Sequence, residues 1–341
     1  MTLLIEPFDQ YTASEADIAR VHDQWCLFDA EYFPDDPPKP LEQRIAEFRR
    51  VRPHRLQPKW VAVDGELVGV AGAWIDTNRE DENVFGMVFV RPDARGRGYA
   101  RPLARAVVDA ADEIGRNVFV AEVVDGGPES ALVDAIGLKP VLQERISRLR
   151  VADIDRDLMQ TWIDRAAERA SNYEVVIYES PLPDDVVGKY VVLHGVMNTA
   201  PLEDLEEAPE TLTVEHWQAM EKGHATAGET ILTCIAVHRP SGEYAGFTEL
   251  KYQSKHPVEG HQHDTGVDPE HRNKGLGRWI KAANVLEFTE RFPDVQWIDT
   301  GNAGSNEPML NINYEMGFKT ECVIQVYQGS IDLVRKWVDG G

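Results

Sequence analysis

The feature that most constrains this chain is that it repeats itself. Gly65-Glu66-Leu67-Val68-Gly69 returns 177 residues later as Gly242-Glu243-Tyr244-Ala245-Gly246. Val90-Arg91-Pro92-Asp93-Ala94-Arg95 returns at the same interval as Val267-Asp268-Pro269-Glu270-His271-Arg272. Ala135-Ile136-Gly137-Leu138 and Glu315-Met316-Gly317-Phe318 lie 180 apart, so only a few residues were inserted between these features. An interval kept across separate motifs means two copies of one folding unit. The 341 residues agree with that, being too many for one domain of roughly 100–200. The expected organisation is residues 1–151 and 172–341 joined by a connecting helix over 152–171, whose Ile154, Leu158, Trp162 and Ile163 form a stripe for packing on a neighbour.

Each copy reads as alternating strands and helices. In the first, apolar runs at 60–63 and 67–74 flank Asp64-Gly65 as a hairpin, and 84–90 is the next strand. Tyr99, Leu103, Val107 and Ala111 then mark one face of a helix. A strand at 118–123, a short helix ending at Gly137 and a last strand at 141–151 complete the copy. The second copy follows the same order, with strands at 173–178, 231–237, 244–252 and 263–267. The fold class expected is mixed α/β, two tandem units in which helices flank a mostly antiparallel sheet.

Composition excludes several functions. A net charge of −23 repels phosphate backbones and anionic lipid, so nucleic acid is not expected as a partner. No run approaches the roughly 20 apolar residues of a membrane span, and MTLLIEPFDQ lacks a signal-peptide pattern, so the expectation is a cytoplasmic protein, a monomer or homodimer. Three scattered cysteines without CxxC spacing point to neither a disulfide framework nor a metal knuckle. His261 and His263 share a parity on an extended segment, but two residues without a third ligand do not make a metal site.

Arg95-Gly96-Arg97-Gly98-Tyr99-Ala100 and Arg272-Asn273-Lys274-Gly275-Leu276-Gly277 each join a strand, ending at Val90 or Val267, to a helix. Such a turn presents backbone N–H groups and the positive end of a helix dipole to an anion. The basic residues and the missing downstream acid separate both from a dinucleotide fingerprint, and neither has the GK[ST] end of a P-loop. Here the chain resembles the GCN5-related N-acetyltransferases (GNAT), whose acetyl-CoA loop reads R/Q-x-x-G-x-G/A after a strand. Asn302, Asn306, Met309, Leu310, Asn313, Gly317 and Phe318 also resemble that family's last strand and helix. The tandem arrangement is similar to that of mycothiol synthase-like actinobacterial two-domain acetyltransferases.

The resemblance implies a sheet splayed between its fourth and fifth strands, acetyl-CoA as cofactor, and pyrophosphate held by the two turns. It also implies transfer of an acetyl group to the primary amine of a small molecule. Amine transfer needs a base, because an amine of pKa about 10.4 is protonated at neutral pH. Glu249 on the third strand of the second copy is the preferred base, Asp264 on the fourth strand beside His261 and His263 is a further candidate, and the alternative for Glu249 is a solvent-facing strand position. Where the family has a tyrosine to protonate the thiolate, this chain has Asn313, with Tyr314 about 100° further round the helix. The first copy has Gly126 and Val133 in place of Asn306 and Asn313 and only Asp76 and Glu122 as carboxylates, so activity is expected in the second copy. Glu203, Asp204, Glu206, Glu207, His216 and Trp217 are the candidate acceptor rim. The competing reading is a catalytically silent CoA-binding regulatory or scaffold protein.

Overall fold

The computed structural model describes residues 3–340. Its elements in chain order are β1 (Leu4–Pro7), α1 (Glu15–Tyr32), α2 (Leu41–Arg49), β2 (Arg55–Leu56), β3 (Lys59–Asp64), β4 (Glu66–Asp76), β5 (Asn83–Val90), α3 (Ala100–Glu113), β6 (Val118–Val124), α4 (Ser130–Ile136) and β7 (Lys139–Arg150). There follow α5 (Arg156–Arg169), β8 (Tyr173–Glu179), α6 (Asp184–His194), α7 (Val214–Thr226), β9 (Glu229–His238), β10 (Glu243–Gln253), β11 (Glu259–Val267), α8 (Leu276–Arg291), β12 (Trp297–Ala303), α9 (Glu307–Met316), β13 (Lys319–Ser330) and α10 (Ile331–Asp339). Among the described residues no helix is long and apolar enough to cross a membrane.

Two compact units emerge, and neither is contiguous in sequence. Unit 1 holds the residues up to Gln143, Leu202–Ala208 and those from Val323 onward; unit 2 holds Glu144–Pro201 and Pro209–Cys322. In unit 1 the strands run β1-β3-β4-β5-β6, and the closing strand is the end of β13, paired antiparallel with β6 from Ile324↔Val124 to Ser330↔Val118. In unit 2 the strands run β8-β9-β10-β11-β12, closed by the end of β7 from Glu144↔Ala303 to Arg150↔Trp297. Each sheet is therefore completed by the last strand of the other half of the sequence.

Unit 1 buries Leu103, Val107 and Ala111 of α3 against Val84, Phe119 and Ala121, and α10 adds Ile331, Val334 and Val338 to the same core. Unit 2 packs α8 on its sheet through Ile280, Val285 and Phe288. The segment read as a connecting helix, 152–171, contains α5, an integral part of unit 2. Its Met159 and Trp162 are buried with Leu232, Leu250 and Phe288, because a helix carrying so much apolar surface must cover a sheet face.

Both sheets splay as expected. β5 and β6 pair in parallel only over Asn83↔Val118 to Phe85↔Val120, and β11 and β12 only over Glu259↔Trp297 to His261↔Asp299. Beyond those three-residue contacts the paired strands separate, leaving one edge of β5 and one edge of β11 open.

Candidate active site

The two turns follow one backbone path. Gly98 and Gly275 adopt φ of +85° and +84°, and Gly96 and Asn273 adopt +77° and +64°. The left-handed conformation costs glycine little and other residues more, and Asn tolerates it best among them. Arg95 donates from Nε to the Val90 carbonyl at 3.1 Å, and Arg272 to the Val267 carbonyl at 2.9 Å. Arg97 and Lys274 reach the carbonyls of Asp93 and Glu270 in the same way. No side chain caps the start of α3 or α8, and a Cβ added at Gly96, Gly98 or Gly275 would meet nothing within 4 Å. Uncapped N–H groups beside open space fit a diphosphate.

The charge at the two turns differs. Arg95 is held bidentately by Glu31 at 2.6 and 2.7 Å and lies 3.6 Å from Glu129, which also accepts from Tyr32. Arg272 donates to the Thr199 hydroxyl at 3.0 Å, and among the described residues neither it nor Lys274 has an acidic partner.

A β-bulge marks unit 2. Thr248 pairs with Thr265 and Leu250 with Gln262, so Glu249 alone faces both His263 and Asp264, one residue past the fork. Polar side chains support it. Gln262 donates to the Glu249 carbonyl at 2.6 Å and to the Thr248 hydroxyl at 2.9 Å, and Asn284 of α8 donates to the Thr248 carbonyl at 3.3 Å. The corresponding ladder of unit 1 runs unbroken from Gly69↔Val90 to Trp74↔Phe85, with Gly72 opposite Met87 and Gly86 opposite Ala73. Val107 stands where α8 has Asn284.

Glu249 is 4% exposed and accepts a 2.7 Å hydrogen bond from the Tyr190 hydroxyl, with Thr233 at 3.5 Å. His194, on the same face of α6 one turn after Tyr190, bonds through Nε2 to Asp264 at 3.1 Å. One atom each of His194, Glu249 and Asp264 lie within 4.8 Å of one another. Burial, with Asp264 and Glu221 adding to it, pushes Glu249 up to about 7, while the His194 charge and the Tyr190 hydroxyl pull the other way. Burial acts to lower His194, yet Asp264, Glu249 and Glu210 together hold it above its ordinary value. Tyr190 is driven far up by burial and by Glu249, so it stays a donor. A small cavity lined by His194, Val191, Met197, Asn198, Glu210 and Leu212 adjoins this group.

Of the residues singled out by sequence, Glu249 and Asp264 come together, and so do Asn302 and Asn313. Asn313 is buried and donates to the Asn302 Oδ1 at 2.6 Å, and Asn306 caps α9 by accepting from the Met309 N–H. Tyr314 is 41% exposed, with its hydroxyl 3.3 Å from Thr320 and 3.5 Å from Arg145. In unit 1, Asp76 is bound bidentately to Arg55, and Glu122 is exposed on β6. The acidic stretch read as a rim divides otherwise than expected. Glu203, Asp204, Glu206 and Glu207 belong to unit 1, where Asp204 donates to the Val141 carbonyl, Glu206 meets Gln328 and Asn83, and Glu207 pairs with Arg79 at 3.2 Å. His216 and Trp217 lie on α7 of unit 2, Trp217 buried beside Tyr190 and His194.

Sequence reasoning missed Tyr190, His194, Gln262 and Asn284. The four-residue spacing of Tyr190 and His194 would have placed them on one helix face, but nothing local says which face meets Glu249.

Residues 21–131 match the model of the Acetyltransferase (GNAT) family. A tandem GNAT protein from the clavulanic acid biosynthesis pathway superposes with a TM-score of 0.78 at 20% identity, covering 97% of this chain and 99% of that one. The chain has the tandem GNAT fold. A GCN5-related N-acetyltransferase from Sphaerobacter thermophilus is similar over 96% of both chains, with a TM-score of 0.67 and 13% identity. The glucosamine N-acetyltransferase region of a fungal multi-domain GH3 β-N-acetylglucosaminidase gives 0.64 at 15%, over 96% of this chain and 38% of that one. No curated protein sequence matches. The family match lies in unit 1, whereas the carboxylate network lies in unit 2.

Proposed function

We propose that this chain is an N-acetyltransferase that uses acetyl-CoA to modify the primary amine of a small molecule, with chemistry in unit 2 and unit 1 as a degenerate copy. What supports the reading above all is the bulge that sets buried Glu249 against Asp264, beside the open edge of β11 and on the strand that leads into the glycine turn. Acetyl-CoA supplies an activated thioester. The N–H groups from Lys274 to Gly277 hold its pyrophosphate, Arg272 and Lys274 add charge, and Asn302 and Asn306 serve to hold α9 in place.

Glu249 takes the proton of the incoming ammonium. A base near pH 7 is matched to neutral working conditions, and burial supplies that match here. The bulge frees a backbone N–H of β11 from the ladder, a donor for the carbonyl oxygen as it gains charge. A thiol of pKa about 8.5 leaves without a dedicated acid, in keeping with the outward position of Tyr314.

The test is thiol release from acetyl-CoA with a panel of primary amines, for wild type, Glu249→Gln and a Gly275→Val turn variant. Turnover lost in both variants supports the reading. Turnover intact in both overturns it, and binding of acetyl-CoA without turnover on any amine favours the silent CoA-binding alternative.

A further inference from the structure

Glu249 poses an electrostatic problem. A carboxylate this deeply buried is expected to stay protonated, and a protonated carboxyl cannot accept a proton. The groups facing it are the Tyr190 hydroxyl from α6, Thr233 from β9, Asp264 from β11, Glu221 from α7 and the His194 imidazole. Four of these are neutral donors or like charges, and His194 is the one among them able to carry a positive charge.

The surroundings of His194 favour that charge. Its ring lies 5.2 Å from Phe247, 5.3 Å from Trp217 and 6.0 Å from Tyr190, centroid to centroid. Aromatic rings at such distances attract a cation, most of all when water is excluded. Asp264, whose side chain is 44% exposed while that of His194 is 9% exposed, accepts its Nε2–H at 3.1 Å. Glu210 adds a further negative charge to its field.

We infer that His194, held as an imidazolium by Asp264 and the three rings, is the counter-charge that keeps buried Glu249 ionised. This inference rests on the reading of Glu249 as the base. His194 touches neither reacting atom in this scheme and is a positioning residue. Unit 1 has no counterpart, having Gly72 and Met87 where unit 2 has Glu249 and Asp264.

The experiment is an infrared pH titration of the whole protein, in which Glu249→Gln identifies the carboxylic-acid carbonyl band of Glu249. The wild-type band is lost at about pH 7. In His194→Gln the midpoint rises by about one unit or more, the effect of removing an opposite charge within about 4–6 Å. His194→Lys restores it, and the acid limb of thiol release moves in step. Circular dichroism checks the fold, with His194→Asn as a second neutral variant should Gln misfold. A midpoint unmoved in the folded neutral variants overturns the inference, as does a His194→Lys midpoint as high as that of His194→Gln. Turnover intact in Glu249→Gln together with the shifted midpoint removes the base assignment and leaves the charge pairing standing.

Discussion

Unit 1 and unit 2 have the same turn path and the same splayed sheet, yet they differ at the positions of Glu249 and Asp264, where unit 1 has Gly72 and Met87. The unbroken Gly72–Met87 ladder of unit 1 is bulged at Glu249 in unit 2, and the amides of Gln262 and Asn284 satisfy carbonyls there that Gly86 and Val107 could not. A bulge is stable only where its orphaned groups find partners. The lesson is that the polar network of unit 2 is a set of interdependent changes, so a single reverting substitution leaves an unsatisfied polar core. The two glycine turns share a backbone path and differ in charge, Arg95 being paired with Glu31 where Arg272 bonds the Thr199 hydroxyl.

The largest effect that would break the comparison comes from cutting the chain. Separate expression of residues 1–151 and 152–341 is expected to give two pieces without cooperative thermal unfolding, since unit 1 then lacks β13 and α10 and unit 2 lacks residues 144–151. Co-expression is expected to restore a single melting curve, which calorimetry would read. A stable, cooperative N-terminal piece would show that strand exchange is dispensable.

Next comes Glu249→Gln, expected to lower kcat by about 10²–10⁴-fold, with the melting temperature unchanged or raised because a buried charge is removed. Gly72→Glu in unit 1 is expected to destabilise the protein and to yield no activity, there being no amide side chain to support a bulge. Full activity from that variant in a Glu249→Gln background would undo the division of labour.

The charge comparison is sharpened by acetyl-CoA titration. Arg272→Ala is expected to weaken binding in unit 2 by about tenfold, the scale of one charge-assisted hydrogen bond. Arg95→Ala is expected to do much less, and Glu31→Gln to raise affinity in unit 1 by freeing Arg95. Equal losses from the two arginine variants would show that Glu31 does not mask the first turn.

A smaller effect concerns Lys281 of α8, 1% exposed over Phe318, where unit 1 has Ala104. Burial lowers it from 10.5 to about 7. A depressed lysine leaves the unfolded chain holding more protons, so its contribution is fully favourable above about pH 10.5 and is lost as pH falls through 7. Lys281→Met is expected to stabilise the protein by about 1–3 kcal/mol at pH 6 and to flatten that pH dependence, as urea unfolding at several pH values would report. The smallest effect is that of Tyr314→Phe, expected to leave thiol release within about twofold, the hydroxyl lying on the outer side of α9.

What was legible in the sequence was what is local. The glycine turns, the hairpins and α3 follow from short-range patterns, and the matched interval shows that each pattern occurs twice. The exchange of β7 and β13 was not legible, because nothing in residues 139–150 or 319–330 distinguishes pairing with β12 from pairing with β6. The bulge was hidden for a related reason: it belongs to the register of two strands and leaves no mark on either strand alone. Glu249 was chosen by residue type and strand position, while Tyr190 and His194 needed the packing of α6 before their role could be seen. The acidic residues 203–207 show the converse, a composition that suggests a rim and a backbone bound to unit 1 by Asp204 and Glu206.

The pairing of Val124 with Ile324 also carries a consequence for synthesis. During translation β6 emerges some 200 residues before its neighbour, so the nascent first unit waits with an unprotected strand edge until β13 leaves the ribosome. Pairings so distant in sequence form slowly, and an intermediate of this kind is where aggregation begins. A stop codon anywhere before β13 would therefore damage the part of the protein made first.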